Sequence, residues 1–370
     1  MNQSSIPTRL GEYINAMLPD AHGHQRKAII DFVFALIAER TCQQAALARC
    51  FGNFEAAVKR LSRLLHNERL DTTELARSHA RVIVSQLPLA GEVRVALDWT
   101  IEGTQHLLVA SLLIGRRAIP LYWEAYDERA LKDRRSGYER ELLRTVLREV
   151  LGEMARARLI ITADRGFASV ELIDLLNELK VSWVLRAKSS TKVKVGSEWR
   201  RLHTLKMRGN QRRRTLGRLS YCASAPRRLY VTQARARDRT GKWGIWHLVS
   251  NRNWSAVQTT AEYARRFGCE EGFRDSKRLL GFADARISDL QAWQRMFTLV
   301  AIAILILTTV GGALIRNRQL TDRLLRQVRA RRRERSELSL VRTIAELLEK
   351  QIDLWELLGF THKLNLEAKL

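Results

Sequence analysis

The chain has 370 residues, 46% of them hydrophobic and 28% charged, with 64 Lys and Arg against 39 Asp and Glu for a formal net charge of +25. That composition excludes a disordered or fibrous chain and allows a large core with appended parts. A charge of this size calls for a polyanionic partner, either nucleic acid or an anionic membrane surface.

Residues 1–90 read as an all-helical, DNA-binding region. "IDFVFALIAER" has apolar residues at helical spacing. In "QQAALARCFGNFEAAVKRLSRLL", Ala48, Gly52 and Val58 match a helix-turn-helix pattern of small residue, turn glycine and core aliphatic. The second helix, about 54–64, then presents Lys59, Arg60 and Arg63 to DNA. A plain helical hairpin accounts for the pattern equally well.

From 91 the period changes to alternation. "EVRVALDW", "QHLLVASLLIG" and "RAIPLYWEA" read as three consecutive antiparallel strands. A charged helical stretch covers about 136–156. "ARLIITADRGF" then reads as a buried strand ending in Asp164, "ASVELIDLLNELK" as an amphipathic helix and "VSWVLRA" as the next strand. The order predicts an α/β fold, a mixed sheet with helices packed on it, formed by 91–186 and 251–315.

Residues 187–250 read as a β-rich insertion. From 185 to 250 there are 18 Lys and Arg against Glu198 and Asp238 alone. A solvated face mixes signs, whereas a one-sign block with apolar and aromatic residues between its charges suits phosphate tracking. Helices resume near 255, where Ser255 and Gln258 have capping-box spacing.

"MFTLVAIAILILTTVGGALI", 296–315, is a run of 20 uncharged residues, long enough to span a bilayer. Arginines at both ends, the absence of a second such run and the amphipathic stretch before it favour a buried core helix. Residues 316–370 read as a charged helical region that includes "RQVRARRRERSE". The four cysteines form no CxxC pair and do not cluster with histidines, which argues against a zinc site or disulfides and fits a reducing cytoplasm. The first residues lack the basic-then-apolar pattern of a secretory signal.

Three carboxylates stand out. In "EYARRFGCEEGFRDSK", 262–277, a helix turning ~100° per residue puts Tyr263, Arg266, Glu270 and Lys277 on one stripe, with Glu271 off it. Taken alone, this is either a salt-bridge array on a helix face or a carboxylate placed for chemistry. Asp275 falls on another face and reads as a surface charge. Asp98 ends the strand "VRVALD" and Asp164 ends "LIITAD". A lone charge at the end of a buried strand is costly without a partner or a metal, and strand ends are where α/β proteins place their sites. Two such Asp and one helical Glu form an all-oxygen donor set suited to a pair of Mg²⁺ or Mn²⁺ ions. Such pairs act on phosphodiesters, so the set and the basic charge together point to DNA-strand cleavage or transfer.

Tyr263-x2-Arg266-x3-Glu270-x6-Lys277 resembles the Tyr-Arg-Glu-Lys signature of insertion-sequence transposases of the IS-four type, a branch of the Asp-Asp-Glu (DDE) transposases. "ALDWT" resembles the segment around that family's first aspartate, "ITADRGF" the segment around its second, and "HLVSN" the strand before the signature. The resemblance covers most of 90–315. It implies a ribonuclease-H-like core with Asp98, Asp164 and Glu270 as catalytic ligands of two Mg²⁺ or Mn²⁺ ions. It also implies DNA phosphate contacts from Tyr263, Arg266 and Lys277. Trp99 after the first Asp and Cys269 before the Glu depart from the family's usual residues. Arg165 either binds DNA or pairs with a core acid. Some members hold a flipped base on tryptophans; Trp123, Trp243, Trp246 and Trp254 are the candidates here, with sheet core as the alternative for each.

The implied activity is cut-and-paste DNA transposition: hydrolysis at the element's ends, then attack of the freed 3′-OH on target DNA, with no covalent protein–DNA intermediate. The expected partners are terminal inverted repeats, target DNA and a second copy of the chain in a synaptic dimer. No membrane is expected, and the expected location is the cytoplasm, at the nucleoid. Two other readings compete: a non-catalytic DNA-binding descendant, and a metal-dependent nuclease without strand transfer.

Overall fold

The structure, a computed structural model, describes residues 6–316 apart from 89, 116, 153–156 and 238–241, with 6–10 and 310–316 described by their backbone alone. Residues 317–370, including the basic run "RQVRARRRERSE", lie outside the described residues.

The chain opens with helices α1 (Ile6–Met17), α2 (Gly23–Glu39), α3 (Gln44–Arg49), α4 (Phe54–Leu65) and α5 (Thr72–Val84). Strands β1 (Val93–Glu102), β2 (Gln105–Ile114) and β3 (Arg117–Asp127) follow as an antiparallel meander. Next come α6 (Glu128–Leu131), α7 (Arg135–Thr145), β4 (Leu159–Ala163), α8 (Val170–Glu178) and β5 (Ser182–Arg186). Five more strands are β6 (Lys192–Val195), β7 (Glu198–Arg201), β8 (Arg213–Tyr221), β9 (Arg227–Arg237) and β10 (Trp243–Ser250). Helices α9 (Ala256–Ala264), α10 (Phe267–Arg274) and α11 (Leu290–Arg316) complete the described elements.

Short polar side chains start several helices by accepting otherwise unpaired backbone N–H groups. Asn53 caps α4, Asp71 caps α5 and Ser169 caps α8. Ser255 and Gln258 form the expected capping box on α9. Ala48 is buried between α3 and α4, as the helix-turn-helix pattern requires, but Gly52 does not take a positive φ, so the turn does not depend on a glycine there.

The sheet is mixed. Its order is β3-β2-β1-β4-β5-β10-β9-β8-β6-β7, with β4 parallel to both β1 and β5. This mixed α/β architecture, with helices against the sheet, is the fold class expected from the sequence. The basic insertion does not stand apart. β10 pairs antiparallel with β5, and the added strands continue the same ten-stranded sheet.

The N-terminal helices share one apolar core with the sheet. α5 and α11 both pack on β3, where Trp123 meets His79 and Phe297 edge to face. The buried Arg295 of α11 caps the end of α4, donating to the carbonyls of Leu65 at 2.9 Å and Leu70 at 2.8 Å. Thr72 donates to Gln291. Gly281 (φ +65°) lies against the backbone that follows α2: a Cβ there would come within 2.7 Å of the Thr41 Cα. By length and composition α11 is a helix able to cross a membrane, yet 89% of the apolar window in Leu290–Thr309 is buried inside the protein, as in a core helix.

Candidate active site

β1 and β4 run parallel, and their pairing ends at Leu97 opposite Ala163. The next residues are Asp98 and Asp164, which therefore emerge side by side. Asp98 does not end its strand as expected: β1 runs on to Glu102, paired with β2 throughout. The β-branched and aromatic residues after it, Trp99, Thr100 and Ile101, sustain the strand. What ends at Asp98 is the parallel half of the ladder.

Glu270 comes from α10, which lies on β3 because of two glycines one turn apart. A Cβ on Gly268 would sit 3.0 Å from the Arg117 carbonyl carbon and oxygen, and one on Gly272 would sit 3.1 Å from the Ala118 oxygen. Cys269 fills the gap beside Ala96, Leu113 and Ala118, a tight apolar packing position.

The expected single stripe is not built on a single helix. α9 ends at Ala264, α10 begins at Phe267, and a π-helical turn follows at Asp275–Leu279. Tyr263, Arg266 and Glu270 nevertheless converge on the aspartates. The Arg266 guanidinium donates to Asp98 Oδ2 at 2.7 Å and to Glu270 Oε1 at 2.8 Å. The Tyr263 hydroxyl donates to Asp164 Oδ1 at 3.0 Å, and Arg186 at the end of β5 lies 3.5 Å from the same oxygen. The backbone N–H of Trp99 donates to Asp98 Oδ1. Lys277 points elsewhere, pairing with Glu102 Oε2 at 2.8 Å and donating to the Ile101 carbonyl.

Burial sets the electrostatics. It pushes the Asp98 carboxyl up to about 6, against the pull of Arg266 and the Trp99 N–H, while Asp164 and Glu270 push it the same way. Burial also pushes Asp164 upward, but the Arg165 backbone N–H, Arg266, Arg186 and the Tyr263 hydroxyl hold it below its usual value. For Arg266 burial opposes the charge, and Tyr263, Asp98 and Asp164 outweigh it, so the guanidinium stays charged. Burial raises the Tyr263 hydroxyl, keeping it a donor.

The neighbouring residues on β1 divide the two faces of the sheet. Asp98 faces α10, while Trp99 faces α7, where its indole donates to buried Glu139 at 2.7 Å under the Arg135 guanidinium. Asp275 is not the surface charge expected of it. It is buried and paired with Arg117 at 2.5 Å, a partner too distant in sequence to be foreseen.

The other DNA-binding candidates fall into two groups. Lys59, Arg63 and Arg165 are exposed. Arg60 is engaged inside the N-terminal helices, pairing with Asp31 at 3.1 Å and lying over the Phe32 and Phe51 rings. Of the tryptophans, Trp123 is fully buried, Trp246 packs on Tyr263 and Phe267, and Trp254 is half-buried beneath Arg252. Trp243 is 59% exposed, with the Arg237 guanidinium over its ring. Sequence reasoning missed Arg186, although it closes a buried strand as a lone charge and so carries the signal that pointed to Asp164.

The donor set suits a hard divalent cation: carboxylate oxygens from three elements, two of them tied to one guanidinium. As the side chains stand, that guanidinium takes the central place, and among the described residues no His, Cys, Asp or Glu group is gathered closely enough to coordinate an ion.

The site is thus a mixed α/β sheet with two acids beside the parallel pairing of β1 and β4, faced by a helical glutamate. Residues 131–306 match the family model of the transposase DDE domain. The matched span contains Asp164 and Glu270 and begins beyond Asp98. No curated protein matches the chain.

Proposed function

We propose that this protein is an insertion-sequence transposase of the IS-four type that cuts DNA at the element's ends and joins the freed 3′-OH to target DNA. The observation that carries the reading is the meeting of Asp98, Asp164 and Glu270 through Arg266 and Tyr263, in a chain whose 131–306 match a transposase domain.

In this reading Asp98, Asp164 and Glu270 hold two Mg²⁺ or Mn²⁺ ions. Bound divalent cations supply Lewis acidity toward the attacking and leaving oxygens of a phosphodiester. The chain does the rest. β1 and β4 fix the two aspartates, and the close seat of α10 on β3 fixes Glu270. Tyr263 and Arg186 orient the Asp164 carboxylate. The basic strands β6–β10 hold the phosphates, with Trp243 offering a stacking face beside Arg237. Lys59 and Arg63 on α4 and Arg165 beside Asp164 extend the DNA contact. Terminal repeats and target DNA are the substrates, two chains act in the synaptic complex, and the site of action is the cytoplasmic nucleoid.

The test is cleavage and joining of labelled DNA carrying the element's own flanking repeats, with Mg²⁺ or Mn²⁺, comparing wild type with Glu270→Gln. The expected result is that wild type cuts and joins while the variant binds and does neither. Cutting without joining of a pre-cut end would make the protein a nuclease. Binding without cutting by either form would make it a DNA-binding relic.

A further inference from the structure

Arg266 holds an unusual position for a residue assigned to DNA. Its side chain is 6% exposed and enclosed by the acids and Tyr263. The two ends of its fork are committed to different carboxylates, Asp98 and Glu270, and its Nε is buried without a hydrogen-bond partner. A phosphate reaching Arg266 in this arrangement would have to displace a carboxylate and enter beside two more. The guanidinium instead does what a cation does among buried carboxylates: it neutralises them and holds them together at a cost in desolvation.

We propose that Arg266 is the internal counter-cation of the acidic site. It keeps Asp98 and Glu270 assembled in the metal-free protein and must yield them when divalent ions load. Arg266 is thus a positioning residue that competes with the metal, rather than a contact to free DNA. The proposal rests on the reading of Asp98, Asp164 and Glu270 as metal ligands. It stands or falls on metal binding and stability, without reference to cleavage.

The geometry explains why arginine serves here. Asp98 lies on the sheet and Glu270 on the helix facing it. A planar fork bonds both at once, which a lysine ammonium on a flexible stem does less well. The same bonds tie the start of α10 to β1.

The experiment measures Mn²⁺ binding by electron paramagnetic resonance and thermal unfolding in EDTA and in Mn²⁺, on the full chain, for wild type, Arg266→Gln and Arg266→Lys. Metal-free binding to duplex DNA is measured alongside. Arg266→Gln is expected to unfold at lower temperature in EDTA, to gain more from Mn²⁺ than wild type, and to bind Mn²⁺ about tenfold more tightly, because a buried cation beside the ligands repels a second one. Its metal-free DNA affinity is expected to stay within about twofold, since a buried, committed guanidinium contributes little to phosphate contact. Arg266→Lys is expected to lie between the two in Mn²⁺ affinity. It also decides the matter if the glutamine variant does not fold in either condition. Mn²⁺ affinity unchanged in Arg266→Lys, or in a folded Arg266→Gln, overturns the proposal. A tenfold loss of metal-free DNA affinity in a folded variant does the same and returns Arg266 to the phosphate backbone. If wild type and both variants bind no Mn²⁺, it is the reading of the three acids as a metal site that fails.

Discussion

The two halves of the ten-stranded sheet handle charge in opposite ways. In β3-β2-β1-β4-β5 the charged groups are few and enclosed, and each acid of the site has an internal partner: Arg266 for Asp98 and Glu270, Tyr263 and Arg186 for Asp164. In β10-β9-β8-β6-β7 the charges are many, basic except for Glu198 and mostly at the surface, and Trp243 stands exposed among them. The difference follows from dielectric. A buried charge costs several kcal/mol unless it is paired, so each one needs a built environment. An exposed charge costs little and acts in sum over a long polyanion. In the proposed function the first half of the sheet acts on single bonds and the second holds a long chain of phosphates.

The sharpest way to break this contrast is to neutralise one acid without changing its shape. Glu270→Gln is expected to lower strand cleavage by on the order of 10³-fold, as loss of one electrostatic participant does at a preorganised site. DNA affinity in a gel-shift assay should stay nearly unchanged, because the basic half is untouched. Equal losses in both would merge the two halves into one function.

A second prediction probes how dry the acidic half is. His79 of α5 is fully buried, bonded to the Tyr13 hydroxyl at 2.6 Å and the Pro120 carbonyl at 2.9 Å, and burial lowers its imidazole to about 4 despite the Pro120 bond. The unfolded chain protonates this group near 6.5, so stability that is present above that pH is lost as pH falls toward 4, by up to about 3 kcal/mol. Urea unfolding between pH 7 and 4 should show this loss, and His79→Gln should flatten it. An unchanged slope in the variant would assign the loss to other groups.

A third prediction tests the seat of α10. Gly268→Ala is expected to cost about 1–3 kcal/mol by overpacking against the backbone of Arg117, with cleavage falling further than stability because Glu270 moves with the helix. Denaturation midpoints and cleavage rates measured on the same preparation separate the two effects. The last belongs to the basic half. Trp243→Ala is expected to weaken binding to unpaired DNA by roughly 1–3 kcal/mol, the value of one stacked base, while leaving unfolding unaffected. A fall in melting temperature instead would make Trp243 a packing residue.

Much of this was legible in the sequence wherever the signal was local. Strand alternation, the capping box at Ser255 and the lone aspartates after apolar runs are read within a few residues. What was not legible depended on contacts far along the chain. Asp275 reads as a surface charge until Arg117 is known to face it. The stripe through Tyr263 and Lys277 assumes one continuous helix, and nothing in "EYARRFGCEEG" announces the break near Arg265 or the π-helical turn beyond it. That the β-rich insertion continues the same sheet is visible only in the pairing of β10 with β5. Gly268 and Gly272 look like weak points in a helix until the backbone they rest on is seen.

The union of the N-terminal helices with the sheet has a consequence of its own. Arg295 reaches the carbonyls of Leu65 at the end of α4 and of Leu70 beyond it, and Gly281 presses on the chain after α2, so α4 is built into the same core as the sheet. If Lys59 and Arg63 grip a duplex as proposed, that duplex is held at a set offset from Asp98. On that reading the chain is a ruler, and the interval between the sequence gripped and the bond cut is written in the folded core instead of in the length of a tether.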